Sequence, residues 1–520
     1  MSGHLLDPVR ALLHRARQAI PDREAQEILS GAVERLDEPL RLAIVGSVKA
    51  GKSTLLNAMV GEEIAPTDAG ECTRIVTWYR DGPAYRVLLH LTDGRAEQRP
   101  FDRESGAISV NLGHPADEVY HLRVEVPSRR LRAHTLIDTP GLASLSTEVS
   151  LRTVSYLRAD DQRAAPADAV IYLLRHLHSN DLGFLESFHG AEMVHGSPIN
   201  AIGVLSRADE IGGCRSDAMA AAGRVADRYH ADDRLRRLCP VVIPVAGLLA
   251  AAGATLREQE FRTLATIAAA PAAEAIELLL TAGRFSGADS AVPVDLPARR
   301  QALGRLGLFG VRLGVRLIRD GTVRSAAELA VELTTRSGLD RLNAVLDAQF
   351  GRRSTVLKAH SALAALDALL RVRGRDGAAT LAAEAEEIRA GTHEFVEVRL
   401  LHQLHSGRLS GRPDQLAEME RVLGGSGAEP ALRLGLPPDA AAPLLTVAGE
   451  QALARWQRIA EHPASARDLR MAARATVRSC EGILAVLGPP PVQEAVIRRP
   501  ATVLALAPDQ SVPPWREPER

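Results

Sequence analysis

The spacing of apolar positions changes character twice along the chain. Over residues 1–37, Leu5, Val9, Leu12, Leu13, Ala16 and Ile20 recur three or four positions apart, the period of one helix face. From Arg41 onward the apolar residues gather into short β-branched and aliphatic runs separated by turns. LAIVG (42–46), IVTWY (75–79), YRVLLHL (85–91), LRVEV (122–126), HTLID (134–138), AVIYLL (169–174), AIGVLS (201–206) and VVIPV (241–245) are predicted strands. Several are apolar throughout, as central strands covered on both faces should be. Helical spacing at 148–158, 182–189 and 215–230 alternates with the later strands. This alternation predicts a three-layer α/β domain with a mostly parallel sheet over 38–297. Its last stretch, RFSGADSAVPVDLP (284–297), reads as a loop.

Beyond 298 the chain turns to Ala, Leu, Arg and Glu at helical period. Segments 300–319, 324–336, 339–372, 378–405, 412–423, 441–461 and 465–487 predict an elongated α-helical bundle over 298–487. The N-terminal helix (1–37) is expected to join it. GGSGAEPALRLGLPP (424–438) interrupts the pattern, and the Pro-rich segment 488–520 is expected to be partly disordered.

Composition adds limits. The 520 residues exceed what one hydrophobic core serves, so several domains are expected. Basic and acidic side chains number 63 and 64, for a net charge of −1, which opposes a dedicated nucleic-acid binder. The four cysteines form no CxxC pair and no disulfide framework, which points to a reducing, cytoplasmic setting. The N-terminus lacks the apolar stretch of a signal peptide, and there is no run of 18 or more apolar residues. Any membrane contact is therefore expected to be peripheral, at the inner face of the plasma membrane. Lysine occurs only at 49, 52 and 358, so each one draws notice.

Two of those lysines fall in Gly46-Ser47-Val48-Lys49-Ala50-Gly51-Lys52-Ser53, which fits GxxxxGK[ST] between a predicted strand and a predicted helix beginning at Thr54. Glycines let the backbone wrap a β-phosphate while amides and the helix N-terminus face the anion. Lys52 would reach the β- and γ-phosphates, and the Ser53 hydroxyl would bind Mg²⁺. Asp138-Thr139-Pro140-Gly141 follows the strand HTLID as a DxxG element. There Asp138 can hold a Mg²⁺-bound water and the Gly141 amide can sense the γ-phosphate. Thr73, in the loop after the helix, is placed to coordinate Mg²⁺. Ser206-Arg207-Ala208-Asp209 resembles the guanine-reading [NT]KxD element, in which a carboxylate accepts from guanine N1 and N2. Val245-Ala246-Gly247 follows the last strand, where the Ala246 amide would meet guanine O6. The order of these pieces predicts a GTP/GDP-binding domain.

On these motifs, together with LRLAIVGSVKAGKSTLLNAMVGEEIAPTDAGECTRIVTWYRDGP, VLSRADEIG, TRSGLDRL (335–342), LGRLGLFGVRL, TVLKAHSAL and RVLGGSGAEPALRLGL, the chain resembles the bacterial dynamin-like GTPases. Within them it is similar to the isoniazid-inducible dynamin-like proteins of mycobacteria and related actinobacteria, on the side of the C-type partner. The resemblance implies a GTPase head on a helical trunk and GTP-dependent head-to-head self-association or pairing with a related dynamin-like protein. It also implies action at membrane lipid. It puts the switch threonine at Thr73, followed by a basic residue at Arg74, and the guanine aspartate at Asp209. Arg207 stands where a lysine stem usually packs across the base, and arginine's fork differs from it. Val48 and Lys49 stand where eukaryotic dynamins carry a glutamine that places water and a serine that helps hold a monovalent cation. Lys49 could substitute a tethered charge for that cation, as the guanylate-binding proteins do with a basic residue, or it could point to solvent. Lys49, Lys52, Thr73 and Gly141 make up the expected catalytic set. Slow hydrolysis, accelerated when two heads meet, is the activity implied. A nucleotide-switched regulatory protein acting through a partner, without remodelling lipid itself, is the alternative; a ribosome-assembly GTPase is opposed by the neutral charge.

Other features carry less. Gly304, Gly307 and Gly310 suit close helix packing. His176, His178, His402 and His405 lack metal-site partners in sequence, and Lys358 reads as a solvated position on a basic helix face. Leu432, Leu434 and Leu436 are expected to dock on the bundle rather than enter lipid, and the arginines of RRLR (129–132) support no nucleic-acid site.

Overall fold

The computed structural model describes residues 5–65, 75–104, 107–141, 167–175, 201–239, 241–351, 353–373, 377–405 and 407–488. The strands are β1 (Leu40–Gly46), β2 (Thr77–Asp81), β3 (Arg86–Leu91), β4 (Ala96–Arg99), β5 (Phe101–Glu104), β6 (Ala107–Val110), β7 (Val119–Val126), β8 (His134–Asp138), β9 (Ala169–Leu174), β10 (Ala201–Ser206) and β11 (Val242–Val245). Nine of them form one sheet in the order β11-β10-β9-β1-β8-β2-β7-β3-β4, and β5 pairs with β6 separately. From β11 to β8 the pairing is parallel. β2 then runs antiparallel to β8 and parallel to β7, while β3 and β4 close the far edge antiparallel. The sheet is therefore mixed, with its parallel half built from the continuously apolar runs and its antiparallel half from the more polar ones.

Alternation along β1 shows why there are three layers. Leu42 and Ile44 point into one core with the Lys52–Val60 helix and with Leu339, Leu342 and Leu346. Ala43 and Val45 point into another, covered by the Ala218–Ala231 helix. A two-residue period with both faces apolar can be satisfied only by cover on both sides.

Helices fill the rest of the described chain. Gly247–Thr255, Glu258–Ala269, Leu296–Arg319 and Ala326–Arg336 share one core with Phe285 and Val292. Packing thus does not break at 297: these helices lie against the sheet domain, and Phe350 and Leu357 still belong to the sheet's core. The N-terminal helices Leu6–Ala19 and Arg23–Asp37 join Ser354–Arg373 and Ala378–Gly391, burying Val9, Leu12, Leu13, Ala16 and Leu29 completely. A further core gathers His393–His405, Pro413–Val422, Ala442–Glu461 and Arg467–Leu487 around Trp456, which has no solvent exposure.

Several sequence expectations land differently. Gly310 does allow close packing, since an added Cβ would lie 3.0 Å from Leu249, but nothing lies within 4 Å of one added at Gly304; Gly314, not singled out in the sequence, is as tight, at 2.8 Å from Leu264. Gly307, by contrast, breaks its helix at φ 66° and ψ 170°. Lys358 is not a solvated surface lysine: it is half-buried, and its Nζ donates to the Leu36 carbonyl at 3.2 Å. Beside it Asp168 accepts from Arg35 at 2.6 Å, from the Arg41 amide at 2.9 Å and from the Ser361 hydroxyl at 3.0 Å. One carboxylate at the start of β9 thereby ties the sheet to two helices of the bundle. Leu434 packs against the distal core, and its Cδ1 sits near Gly449, as docking requires. His405 meets Glu420 at 2.9 Å, a spatial pairing that sequence spacing hid. Among the described residues no helix is long and apolar enough to cross a membrane.

Candidate nucleotide site

The phosphate-binding loop leaves β1 at its C-terminal end, and β9 beside it decides why Gly46 is glycine: a Cβ there would lie 2.8 Å from the Leu173 carbonyl oxygen. The loop then turns through two left-handed residues, Lys49 at φ 61° and Gly51 at φ 96°. Gly51 caps the Lys52–Val60 helix, whose first-turn amides have no partner within the helix and face the loop. Lys52 Nζ folds back onto the carbonyls of Gly46 and Ser47 at 3.2 and 3.3 Å. Burial lowers its pKa, while nearby Asp138 raises it.

Ser53 and Asp138 come together as the motifs anticipate. The Ser53 hydroxyl donates to Asp138 Oδ2 at 3.2 Å, and Asp138 Oδ1 is buried without a hydrogen-bond partner. Burial pushes the Asp138 carboxyl up to about 6, against the pull of Lys52, Ser53 and the Thr139 amide. A buried, orphaned carboxylate oxygen next to a hydroxyl and a lysine is the environment that a hard divalent cation with its phosphate and waters would complete. Mg²⁺ fits this donor set, which would hold it through Ser53 directly and Asp138. Among the described residues there is no cluster of three His, Cys, Asp or Glu to hold a metal by protein ligands alone. Thr139 anchors the strand end by donating to the Ile44 carbonyl at 2.8 Å. Gly141 lies against the loop: an added Cβ would be 2.9 Å from Val48 Cγ2 and 3.1 Å from Lys52 Nζ. Thr73 and Arg74 lie outside the described residues, as do His176 and His178.

The base side is a recess lined by Ala50, Gly51, Thr54, Ser206, Asp209 and Leu248 among others. Asp209 is only 6% exposed, and burial pushes its carboxyl up to about 6. Arg207, in the left-handed region at φ 52°, does more than lay a stem along the recess. Its guanidinium donates to the Lys49 carbonyl at 3.1 Å and to Glu210 at 2.9 Å, bridging the base loop to the phosphate loop. A lysine offers no such fork.

The third base-side element needs correction. The Ala246 amide donates to the Ser337 carbonyl at 2.9 Å and is not free to meet a base oxygen. Gly247, the first residue of the next helix, lines the recess instead, where a first-turn amide has no helical partner. Ser337 and Gly338 are thus supports of the site that motif reading passed over, although TRSGLDRL stood out in the sequence. Gly338, at φ 83°, sits so close to β11 that a Cβ would strike the Pro244 carbonyl oxygen. A second missed support is the Arg305 fork, which clasps Glu63 and Glu260 and bonds Thr255. It pins the segment leaving the phosphate-loop helix to Leu296–Arg319.

Val48 is 53% exposed at the loop's outer edge and Lys49 is also exposed, so neither is held by packing. Both stand where something outside this fold could meet them.

The Dynamin family profile matches residues 42–187. Isoniazid-induced protein IniC of Mycobacterium tuberculosis is 41% identical over 491 residues, covering 92% of this chain and 98% of that protein. The bacterial dynamin-like protein of Nostoc punctiforme is 36% identical over 152 residues, 26% of this chain and 22% of the relative. A solved structure of an oligomerised bacterial dynamin pair aligns over 93% of this chain and 79% of that chain at a TM-score of 0.32 and 13% identity, too loose a likeness to inform the geometry. Near full-length similarity of this degree means that the chain belongs to the dynamin family and is a dynamin-like GTPase.

Proposed function

We propose that the chain binds GTP with Mg²⁺ through Gly46–Thr54, Asp138 and Asp209, and hydrolyses it slowly until two heads meet. The observation that carries this reading is the orphaned, buried Asp138 oxygen between Ser53 and Lys52. In this reading Ser53 and Asp138 would hold Mg²⁺, which would supply neutralisation of phosphate charge. Lys52 moves from its two loop carbonyls to the phosphates, and Gly141, already against Val48, offers its amide to the γ-phosphate. Thr73, by the family resemblance, would add a second hydroxyl to the metal's ligands. Arg207 and Glu210 hold the base loop on the phosphate loop, and Asp209 reads guanine. The exposed Val48–Lys49 edge meets the partner head, where the Lys49 ammonium stabilises developing negative charge. Release of the dimer after hydrolysis moves the helical trunk, in membrane remodelling or maintenance.

A second reading has a specific observation behind it. The apolar stretch that the sequence offered as a tip, around Leu434, is docked on the distal core, which favours a nucleotide-switched protein acting through a dynamin-like partner over lipid insertion by that stretch. Mg²⁺-dependent GTP turnover at rising protein concentration tests the catalytic proposal. Rate per molecule should climb with concentration for the native chain and stay flat for Lys49→Ala; indistinguishable curves would remove Lys49 from catalysis. Liposome remodelling with GTP, by this chain alone and with the partner, separates the two readings, and no binding or shape change in either arm refutes direct remodelling.

A further inference from the structure

At the opposite end of β1 from the phosphate loop, about 20 Å along the strand, a second recess opens between the sheet and the end of the Arg23–Asp37 helix. Strand register builds it. Arg41 on β1 lies beside Thr135 on β8. Trp78 and Arg80 on β2 lie beside Arg123 and Glu125 on β7. Arg132 comes in from the turn before β8. Four guanidiniums therefore converge on a pocket whose wall is an indole, with Arg41 stacked 4.5 Å above the Trp78 ring.

Three of the four charges are compensated. Arg41 pairs with Glu38 at 2.5 Å, Arg80 with Glu125 at 2.6 Å and Arg132 with Asp81 at 3.2 Å. Arg123 has no carboxylate partner among the described residues, and its Nε is buried without a hydrogen bond. The recess holds one unbalanced positive charge, on a group with an unsatisfied donor. Neighbouring groups register that field. Burial and then Arg80 lower the pKa of Arg123 itself, against the opposing pull of Glu38 and Glu125. Burial, followed by Arg123 and Arg80, does the same to His90. His121, stacked between Trp78 and His90, is held well below its ordinary value by burial, His90, Arg123 and Arg41. A half-buried cation with an unmade hydrogen bond costs free energy that an anion would recover. Guanidiniums set around a concavity suit a tetrahedral oxyanion: Arg80 spends Nε and Nη2 on Glu125, while Arg123 donates to no carboxylate and keeps its outer nitrogens for phosphate oxygens.

We propose that this recess binds a phosphate-bearing anion, with Arg123 as its anchor and Arg41, Arg80 and Arg132 around it. The site is separate from the nucleotide loop and lies beside Glu38, where the sheet domain meets the bundle. Its ligand is the phosphate of a soluble ester or of a lipid headgroup.

The test uses the full chain saturated with GDP and Mg²⁺, so that the nucleotide loop is filled, with GDP occupancy measured separately. Inorganic phosphate should raise the melting temperature saturably above a chloride control of equal ionic strength. Arg123→Gln should weaken that response roughly tenfold or more. Because Arg123 is in no direct ion pair and Glu38 and Glu125 keep Arg41 and Arg80, the variant should still fold and melt cooperatively without phosphate. Should it fail to fold, Arg132→Gln at the exposed rim gives the second reading, with phosphate affinity reduced several-fold. Sedimentation with phosphatidylcholine vesicles, with and without phosphatidic acid, distinguishes the sources. Arg123-dependent sedimentation with phosphatidic acid assigns the site to lipid, and a phosphate response without sedimentation assigns it to a soluble ester. A native chain that answers to neither probe, or an Arg123→Gln chain that answers as the native one does, overturns the proposal.

Discussion

Replacing Asp209 by asparagine should move stability and ligand affinity in opposite directions. In the folded chain burial raises this carboxyl from 3.8 to about 6. A folded-state pKa above the unfolded value means the native state holds the proton more tightly. Stability is therefore lost as pH rises from about 4 through about 6, and the whole penalty is present above that window. Two pKa units correspond to about 3 kcal/mol. Asp209→Asn removes the charge at nearly constant volume, so the nucleotide-free variant should be more stable than the native chain by up to about 3 kcal/mol at pH 8. The advantage falls to about half at pH 5, where only the unfolded carboxylate is ionised, and vanishes below about pH 4. Ligand affinity should fall instead. Two charge-assisted bonds to guanine N1 and N2 become weaker or reversed, so GTP binding at pH 8 should drop by about two orders of magnitude, and preference should pass to xanthosine triphosphate. Urea denaturation of the nucleotide-free chain at three pH values, paired with calorimetric titration of both nucleotides, reads both effects. A variant less stable than the native chain at pH 8 would refute the buried-charge reasoning, and unchanged GTP affinity would remove Asp209 from the base site.

Two further substitutions probe supports that lie away from the nucleotide. Asp168→Asn leaves Arg35, with 11% of its side chain exposed, facing a neutral partner; urea denaturation should show a loss of about 3–5 kcal/mol, and a loss under about 1 kcal/mol would mean the clasp between sheet and bundle is not structural. Gly338→Ala forces a Cβ into the Pro244 carbonyl at a left-handed φ, costing about 2 kcal/mol or more. By moving Ser337 off the Ala246 amide it should also weaken GTP binding several-fold, and native affinity in this variant would show that the contact does not shape the base recess.

Local chemistry made much of this protein legible. The eight strands anticipated from β-branched runs all appear, with ends shifted by a few residues. Three short strands at 96–110 went unseen: AEQR and FDRE alternate no apolar face, and AISV is only four residues long. The meeting of Ser53 with Asp138 could be foreseen, since each sits at a fixed offset from a parallel strand's C-terminal end, and adjacent parallel strands bring those ends together. Nothing in its neighbours along the chain showed that the Ala246 amide was committed, because its partner, Ser337, is far along the chain. Lys358 looked solvated for the same reason: its helix neighbours are basic, but the carbonyl it caps belongs to Leu36.

What the sequence determined by itself, then, is whatever short-range geometry dictates: the strand–loop–helix of the phosphate site, the periods of the helices and the layers that cover the sheet. Tertiary structure decided which polar groups were already spent and which were left over. Hydrogen bonds and charge compensation are settled between residues far apart in the chain, and no period or motif records them. Among three lysines, Lys52 could be assigned by its loop, while Lys358 needed the fold. Among the many arginines, only packing could single out Arg123 as the one in its cluster without a carboxylate.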